Sequence, residues 1–589
     1  MAELVPQPTS IQSLYGMYVN DKLYVNRRYQ RKLVWTLEEK QKLIESITKK
    51  YPIPAILIAE RDGGNGEYEI IDGLQRLQTI VSFIEGSFFA LDGKLFDLEF
   101  FPTAKSRMES GAFTQISAGM FISQREVTTL LDYSLALSVM RNATDAEIDD
   151  VFDRINTYGH RLSDQERRQA GVQNEFSTTV RKLASQIRGD ASDDILLLRE
   201  MPSISVDLPT TKHGYTVKSE EVFWVNEGIL RSTDLRDSMD EQCLADIIVS
   251  IVTGGMVVRS KEYLDRVYDR GSDESEKVLT ALDVYGVERI ISEIKFCIEQ
   301  VIIVCATEPC KKLRDIVFTE RNTNGFPSLF SVILVAFHEL IVKRKKKIAN
   351  FLGLKTALTH VDKNINAARN STRPDERQRN VNLLIGVMQP HFVDGDLSKQ
   401  IYDNHSVSDI EEAIRRSEIE LGNYELKQGI VSLSDKREID QQALCKILAT
   451  ATAIANNGAG RSGKILIGVT DKAADADRIK KVDGIDAKTI ANRQVVGVNR
   501  EAKVLGKTIE NYHGYIRDAI KNSGISDPLR TSILSSIDYN NFYGYGVIVI
   551  SIPSQAELSF FDDELYWREG DQTVKAVNPK QIASLAKRF

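Results

Sequence analysis

A chain of 589 residues, with 42% hydrophobic and 27% charged side chains, is long enough for several globular domains, since one domain usually takes ~100–200 residues. Its formal net charge of −7 excludes a uniformly basic nucleic-acid coat and leaves only local basic patches to be sought. The 5 cysteines (Cys243, Cys297, Cys305, Cys310, Cys445) include no CxxC pair and no histidine partner at zinc spacing, so they read as buried thiols in a reducing compartment. Residues 1–6 lack a basic region followed by an apolar core, and the longest apolar runs, 247–258 and 331–337, are shorter than the ~20 residues of a membrane span. A cytoplasmic protein without a membrane partner is expected.

In the first region, residues 1–105, Leu23-Tyr24-Val25 reads as a strand that precedes a basic turn containing Arg27, Arg28, Arg31 and Lys32. Those cations suit either a solvated rim or a phosphate site, because the guanidinium fork binds phosphate oxygens two at a time. Thr36 is placed to cap a helix over 37–48, with Glu38 and Glu39 in its first turn. Pro52-Ile53-Pro54 stops that helix, 55–59 is a buried strand, and 67–71 alternates as a second one. After the Asp72-Gly73 turn, Leu74, Leu77, Val81 and Ile84 recur at helical spacing. Asp72 is expected to cap this helix, with Gln75 completing a capping box. Gln75, Arg76 and Thr79 then form a polar face beside a helix N-terminus, where backbone N–H groups attract phosphate. The plainer alternative is a well-made turn and nothing more.

The middle region, 106–405, is mainly helical by period. An amphipathic helix is predicted over 145–156 with a polar exit through Gly159, and Ser163 caps the next, which carries Glu166, Arg167 and Arg168. Further helices are predicted over 175–188, 240–251, 275–281, 290–304 and 328–347. The basic run 343–347 either complements the dipole of the last helix or contacts a phosphate backbone. Arg369, Arg373, Arg377 and Arg379 surround Pro374 in an expected loop.

In the last region, 406–589, Ser408 is expected to cap a helix over 409–420. Residues 424–427 alternate as a strand, with Glu425 and Lys427 on one face and Tyr424 and Leu426 on the other. A helix over 441–456, a strand over 464–469, a helix over 508–522, a strand over 547–553, the segment 565–570 and a helix after Pro579 follow. Glu420, Glu425 and Asp471 thus stand at a helix end, on a strand and at a second strand's end. On neighbouring strands, three carboxylates could converge on one hard cation such as Mg²⁺ or Mn²⁺, with Lys427 orienting water or offsetting phosphate charge. Singly, each is equally well a surface acid or, for Asp471, a turn cap.

Two sets of motifs carry resemblances. Tyr29-Gln30-Arg31 with Trp35, then Asp72-Gly73-Leu74-Gln75-Arg76, then 152–159 (Phe-Asp-Arg-Ile-Asn-Thr-Tyr-Gly) followed by Leu162-Ser163 and Glu166, resemble the ParB/sulfiredoxin-like domain of GmrSD- and SspE-type modification-dependent restriction proteins. Leu74 stands where that family usually has glutamine, and Gln78 where threonine is usual. The resemblance implies a site for a nucleotide (ATP or GTP) with linked NTP hydrolysis, formed by Gln30, Arg31, Asp72, Gly73, Gln75, Arg76, Arg154 and Asn156. Residues 425–427, 453–458, 465–471 and 566–570 resemble the AlbA-type domain of Schlafen proteins. That likeness implies a nuclease site of Glu420, Glu425 and Asp471 as catalytic metal ligands, with Lys427 beside them.

The expected architecture is therefore multidomain α+β: a ParB/sulfiredoxin-like domain at 1–105, a helical scaffold or sensor at 106–405, and a Schlafen AlbA-like domain at 406–589. The expected function is prokaryotic antiviral defence, in which an N-terminal module sensing NTP or modified DNA controls a C-terminal metal-dependent nuclease acting on DNA or RNA. The alternative is a non-catalytic regulatory protein that binds nucleotide and nucleic acid. Self-association into a homo-oligomer is compatible with either.

Overall fold

The computed structural model describes residues 3–27, 33, 35–61, 66–109, 113–116, 119–158, 163–171, 174–189, 195–201, 203–205, 216–320, 323–363, 365, 372–401, 407–418 and 422–589. The chain divides into two compact units, Met1–Lys399 and Gln400–Phe589, and both mix helices with small sheets, a multidomain α+β architecture.

The first unit is built on six strands: β1 (Glu3–Pro6), β2 (Leu23–Asn26), β3 (Ile56–Glu60), β4 (Tyr68–Asp72), β5 (Leu137–Arg141) and β6 (Ile195–Leu197). They lie in the order β1-β5-β3-β4-β2-β6. The β3–β5 and β2–β4 pairs are parallel, and the β1–β5, β3–β4 and β2–β6 pairs antiparallel. Strand alternation sends Ile58 and Ile70 to one face and Leu57, Ala59 and Ile71 to the other. The first face is covered by α1 (Ile11–Val19), α2 (Leu37–Thr48), α3 (Leu74–Ile84) and α4 (Gln124–Leu131), the second by α5 (Asp145–Tyr158) through Ile148 and Phe152. Because β5, β6 and core residues up to Met201 come from beyond residue 105, the framework around Asp72 continues past that position. Thr36 caps α2 as its sequence predicts, and Glu39 completes a capping box: the Glu39 amide donates to Thr36 Oγ1 and the Thr36 amide to the Glu39 carboxylate.

This unit also contains the helices α6 (Asp164–Gly171), α7 (Glu175–Arg188), α8 (Met239–Val252), α9 (Lys261–Tyr268), α10 (Asp273–Tyr285), α11 (Val287–Ala306), α12 (Pro327–His338) and α13 (Pro374–Met388). Ser163 caps α6 as expected, and Glu166 in return accepts a bond from the Ser163 amide. Two readings of the basic segments are corrected. The helix expected over 328–347 leaves α geometry after His338, and Lys346–Ile348 pairs as a strand with Phe392–Asp394. There Lys343 and Arg344 meet Glu339, Lys345 meets Asp396 and Lys346 meets Asp394, so most of the basic run is locally offset. Pro374 opens α13 instead of sitting in a loop, since its fixed φ suits a first helical turn. Arg377 is thereby buried against Asp246 in a bidentate pair at 2.8 and 2.5 Å, with further bonds to Val257 O and Ser331 Oγ. Arg369 lies outside the described residues.

The second unit contains α14 (Val407–Arg416), β7 (Tyr424–Lys427), α15 (Gln441–Ala455), β8 (Gly463–Ile467), β9 (Val469–Thr470), α16 (Ile509–Lys521), β10 (Ile537–Asn540), β11 (Val547–Ile552), β12 (Tyr566–Glu569), β13 (Gln572–Lys575) and α17 (Pro579–Ala586). Four strands form a sheet in the order β7-β8-β11-β10, with β7 parallel to β8. Ile465, Ile467, Ile548 and Ile550 pack with α15 and α16 on one face, while Tyr424, Leu466, Val547 and Val549 pack with α14 on the other. The helix expected over 409–420 ends at Arg416, with Ser417 and Glu418 in a turn, and the strand expected over 464–469 breaks at Gly468. Gly468 has φ +107, and a Cβ there would stand 3.0 Å from Gly546 O, so only glycine fits the turn.

Truncating Arg377 to leucine should strand Asp246 as an unpaired buried carboxylate and destabilise the first unit by ~3–5 kcal/mol. Urea unfolding measures this; a loss below ~1 kcal/mol would contradict the reading of the pair.

Candidate functional site

The turn between β4 and α3 is held by two constraints. Gly73 takes the left-handed conformation (φ 99), and a Cβ at this position would lie 2.9 Å from Ile56 Cγ1. Arg76 reaches back one helical turn, and its Nη2 donates to Asp72 Oδ2 at 2.8 Å and to Ala55 O at 3.1 Å. The expected capping box is therefore absent. Gly73 is the N-cap, among the described residues no side chain caps α3, and Asp72 serves Arg76 instead. Gln75 Oε1 accepts from the Trp35 amide at 3.3 Å, which ties the entry of α2 to the first turn of α3. The expected polar face is narrower than Gln75, Arg76 and Thr79, because Thr79 is fully buried and donates its hydroxyl to Gln75 O.

What remains is an uncapped helix N-terminus whose backbone N–H groups carry partial positive charge, with a largely buried guanidinium beside it. Arg76 Nε is buried, with no hydrogen-bond partner among the described residues. Lys40, which the sequence reading passed over, lies on the inner face of α2 with Leu43, Ile44 and Ile47 and is 2% exposed. Burial alone pushes its ammonium down to about 8. Its position at i, i+3, i+4, i+7 spacing with those apolar residues was the available signal.

Of the other expected nucleotide ligands, Gln30 and Arg31 lie outside the described residues, as does the side chain of Asn156. Arg154 is exposed and pairs with Asp150 on its own helix at 2.9 Å. Phe152, by contrast, packs beneath β3 and β4 with Leu57 and Ile71, so α5 supports the strand that ends in Asp72.

In the second unit the face assignment of β7 holds: Tyr424 and Leu426 join the core against α14, and Glu425 and Lys427 share the opposite face. Strands β7 and β8 are neighbours, and the Gly468 amide donates to Lys427 O at 2.8 Å. Glu425, however, is engaged at both oxygens. Lys427 Nζ donates to Oε1, and Arg568 Nη1 donates to Oε2 at 2.9 Å. Arg568 is buried and also bonds Thr573 Oγ1 and Tyr424 O. Asp471 is half-exposed, 3.9 Å from Arg493. Glu420 lies outside the described residues, among which no three His, Cys, Asp or Glu side chains form a metal-holding group. A carboxylate with a cation on each oxygen does not fit a divalent metal in this arrangement. Arg568 lies within the segment 566–570, and its pairing with Glu425 depends on β12 coming near β7 in the fold.

Residues 11–172 match the family model described as the GmrSD restriction endonuclease, N-terminal domain. No curated protein and no solved structure matches the chain. Among the described residues, no helix is long and apolar enough to cross a membrane.

Two outcomes follow from this geometry. Gly73→Ala should cost ~1–3 kcal/mol in urea unfolding, from the left-handed φ and the clash with Ile56; unchanged stability would contradict the turn. Lys40→Met should stabilise the protein at pH 7, because it removes a buried charge. The folded Lys40 loses its proton near pH 8 and the unfolded one near pH ~10.4, so the gain shrinks across that window. Thermal melts of both proteins from pH 7 to 10.5 measure it, and a pH-independent gain would refute it.

Proposed function

We propose, from the match of residues 11–172 to a restriction endonuclease N-terminal domain, that the chain is a restriction-like defence protein acting on DNA. The observation that carries the mechanism is the Gly73 turn, which presents an uncapped helix N-terminus beside Arg76. Such an arrangement suits the phosphates of ATP or GTP, because aligned N–H groups and a guanidinium fork both complement anionic oxygens. Asp72 holds Arg76 in place. In this reading the first unit binds nucleotide or senses modified DNA, and nucleotide occupancy controls the second unit.

For the second unit, the reading that accompanies restriction is phosphodiester cleavage involving Glu420, Glu425, Asp471 and Lys427. A second reading, nucleic-acid binding without cleavage, is favoured by the ion pairs that Lys427 and Arg568 make with Glu425. No metal-dependent step is assigned to Glu425 while those pairs persist.

Incubating the purified chain with unmodified DNA, modified DNA and RNA, with Mg²⁺ or Mn²⁺ and with or without ATP and GTP, separates the two. Cleavage that depends on nucleotide and is lost in Asp471→Ala, without a change in melting temperature, is the expected result. Binding with no cleavage of any substrate would overturn the nuclease reading in favour of the second.

A further inference from the structure

Lys40 is an expense to the fold. Among the described residues it has no ion pair and no side-chain hydrogen bond, although it is 2% exposed and carried on a face otherwise made of leucine and isoleucine. Methionine would fill the same space without the cost of removing an ammonium from water. A residue that lowers stability without a compensating contact is a candidate for function.

Its location narrows the function. The inner face of α2 shares one core with α3 through Leu43, Ile44, Ile47, Leu74 and Leu77. The start of α2 is pinned to the first turn of α3 by the Trp35 amide on Gln75. A helical side chain leans toward its own N-terminus, so the Lys40 stem runs back over the first turn of α2, toward that pinned end. Among the described residues no side chain caps the neighbouring first turn of α3, and none accepts from the adjacent, buried Arg76 Nε. A buried lysine with no ion pair among the described residues, an Arg76 guanidinium held at Nη2 by Asp72 and Ala55, and one helix N-terminus thus belong to the same end of the helix pair.

We propose that Lys40 is the inner cation of the nucleotide site, meeting the terminal phosphate of a nucleoside triphosphate while the first turn of α3 and Arg76 hold the phosphate before it. This rests on the reading of the Asp72–Arg76 turn as a phosphate site. Lys40 is a binding residue here, and the ligand class it selects is the triphosphate over the diphosphate.

Calorimetric titration of the full chain with ATP, GTP, ADP and GDP tests it, using wild type, Lys40→Met, Lys40→Arg and Arg76→Ala. Lys40→Met should keep its fold by circular dichroism and melt no lower than wild type. It should weaken the preferred triphosphate at least tenfold while changing the corresponding diphosphate less than threefold. Lys40→Arg should recover most of the triphosphate affinity, which a purely structural role would not give. If Arg76→Ala loses binding and Lys40→Met retains wild-type affinity for the triphosphate, this inference is overturned and the phosphate site stands. If wild type binds none of the four nucleotides, both fall together. Equal losses for triphosphate and diphosphate in Lys40→Met would also overturn it.

Discussion

The first unit depends on one reversal of the chain, at Asp72-Gly73. Strand β4 ends there in the middle of a six-stranded sheet, and α3 must leave at an angle that lays Leu74, Leu77 and Ile80 on the core. Only a residue without a Cβ takes the required φ 99 against Ile56, so the position that would ordinarily carry a capping side chain cannot have one. That no side chain caps the first N–H groups of α3, among the described residues, is a consequence of that backbone geometry. Asp72, freed from capping, fixes Arg76 next to them. A single steric constraint thus produces both the helix packing and the anion-attracting end.

The second unit is fastened differently. Its edge strand β7 is joined to the β12–β13 ribbon by the Glu425–Arg568 pair, and Arg568 also reaches Thr573, whose hydroxyl bonds Thr450 on α15. Beyond the end of β7, Glu501 accepts from the Ile430 and Val431 amides and from Tyr512, which anchors the segment that follows Lys427. Burial pushes the Glu501 carboxyl up, so these donors offset the cost of keeping it there. Carboxylates that read in the sequence as a possible metal set are in part occupied in holding strands together. Charge pattern alone could not separate the two roles.

Local signals were legible wherever one element decided the outcome. The Thr36 and Ser163 caps, α7 over Glu175–Arg188 and the alternation of β7 all follow from residue spacing. Tertiary choices were not legible. Asp72 has the chemistry of a cap, but Gly73, confined against Ile56 from a different strand, holds the N-cap position and Asp72 pairs with Arg76. Arg377 reads as part of a loose basic cluster until Asp246 on α8 is brought beside it. The extension of the first framework beyond residue 105 depends on β5 inserting between β1 and β3, a long-range pairing that period does not encode. Lys40 was legible in position, and its lack of a partner became visible only with the core in place.

In the proposed function, the Asp72–Arg76 turn governs a defence activity. Phage plaquing on cells that carry the wild-type chain or Asp72→Ala at matched protein levels tests this most directly. Wild type should reduce plaquing by at least tenfold, and Asp72→Ala, which releases Arg76 but keeps Gly73 and the fold, should restore it. Full protection by Asp72→Ala would contradict the account.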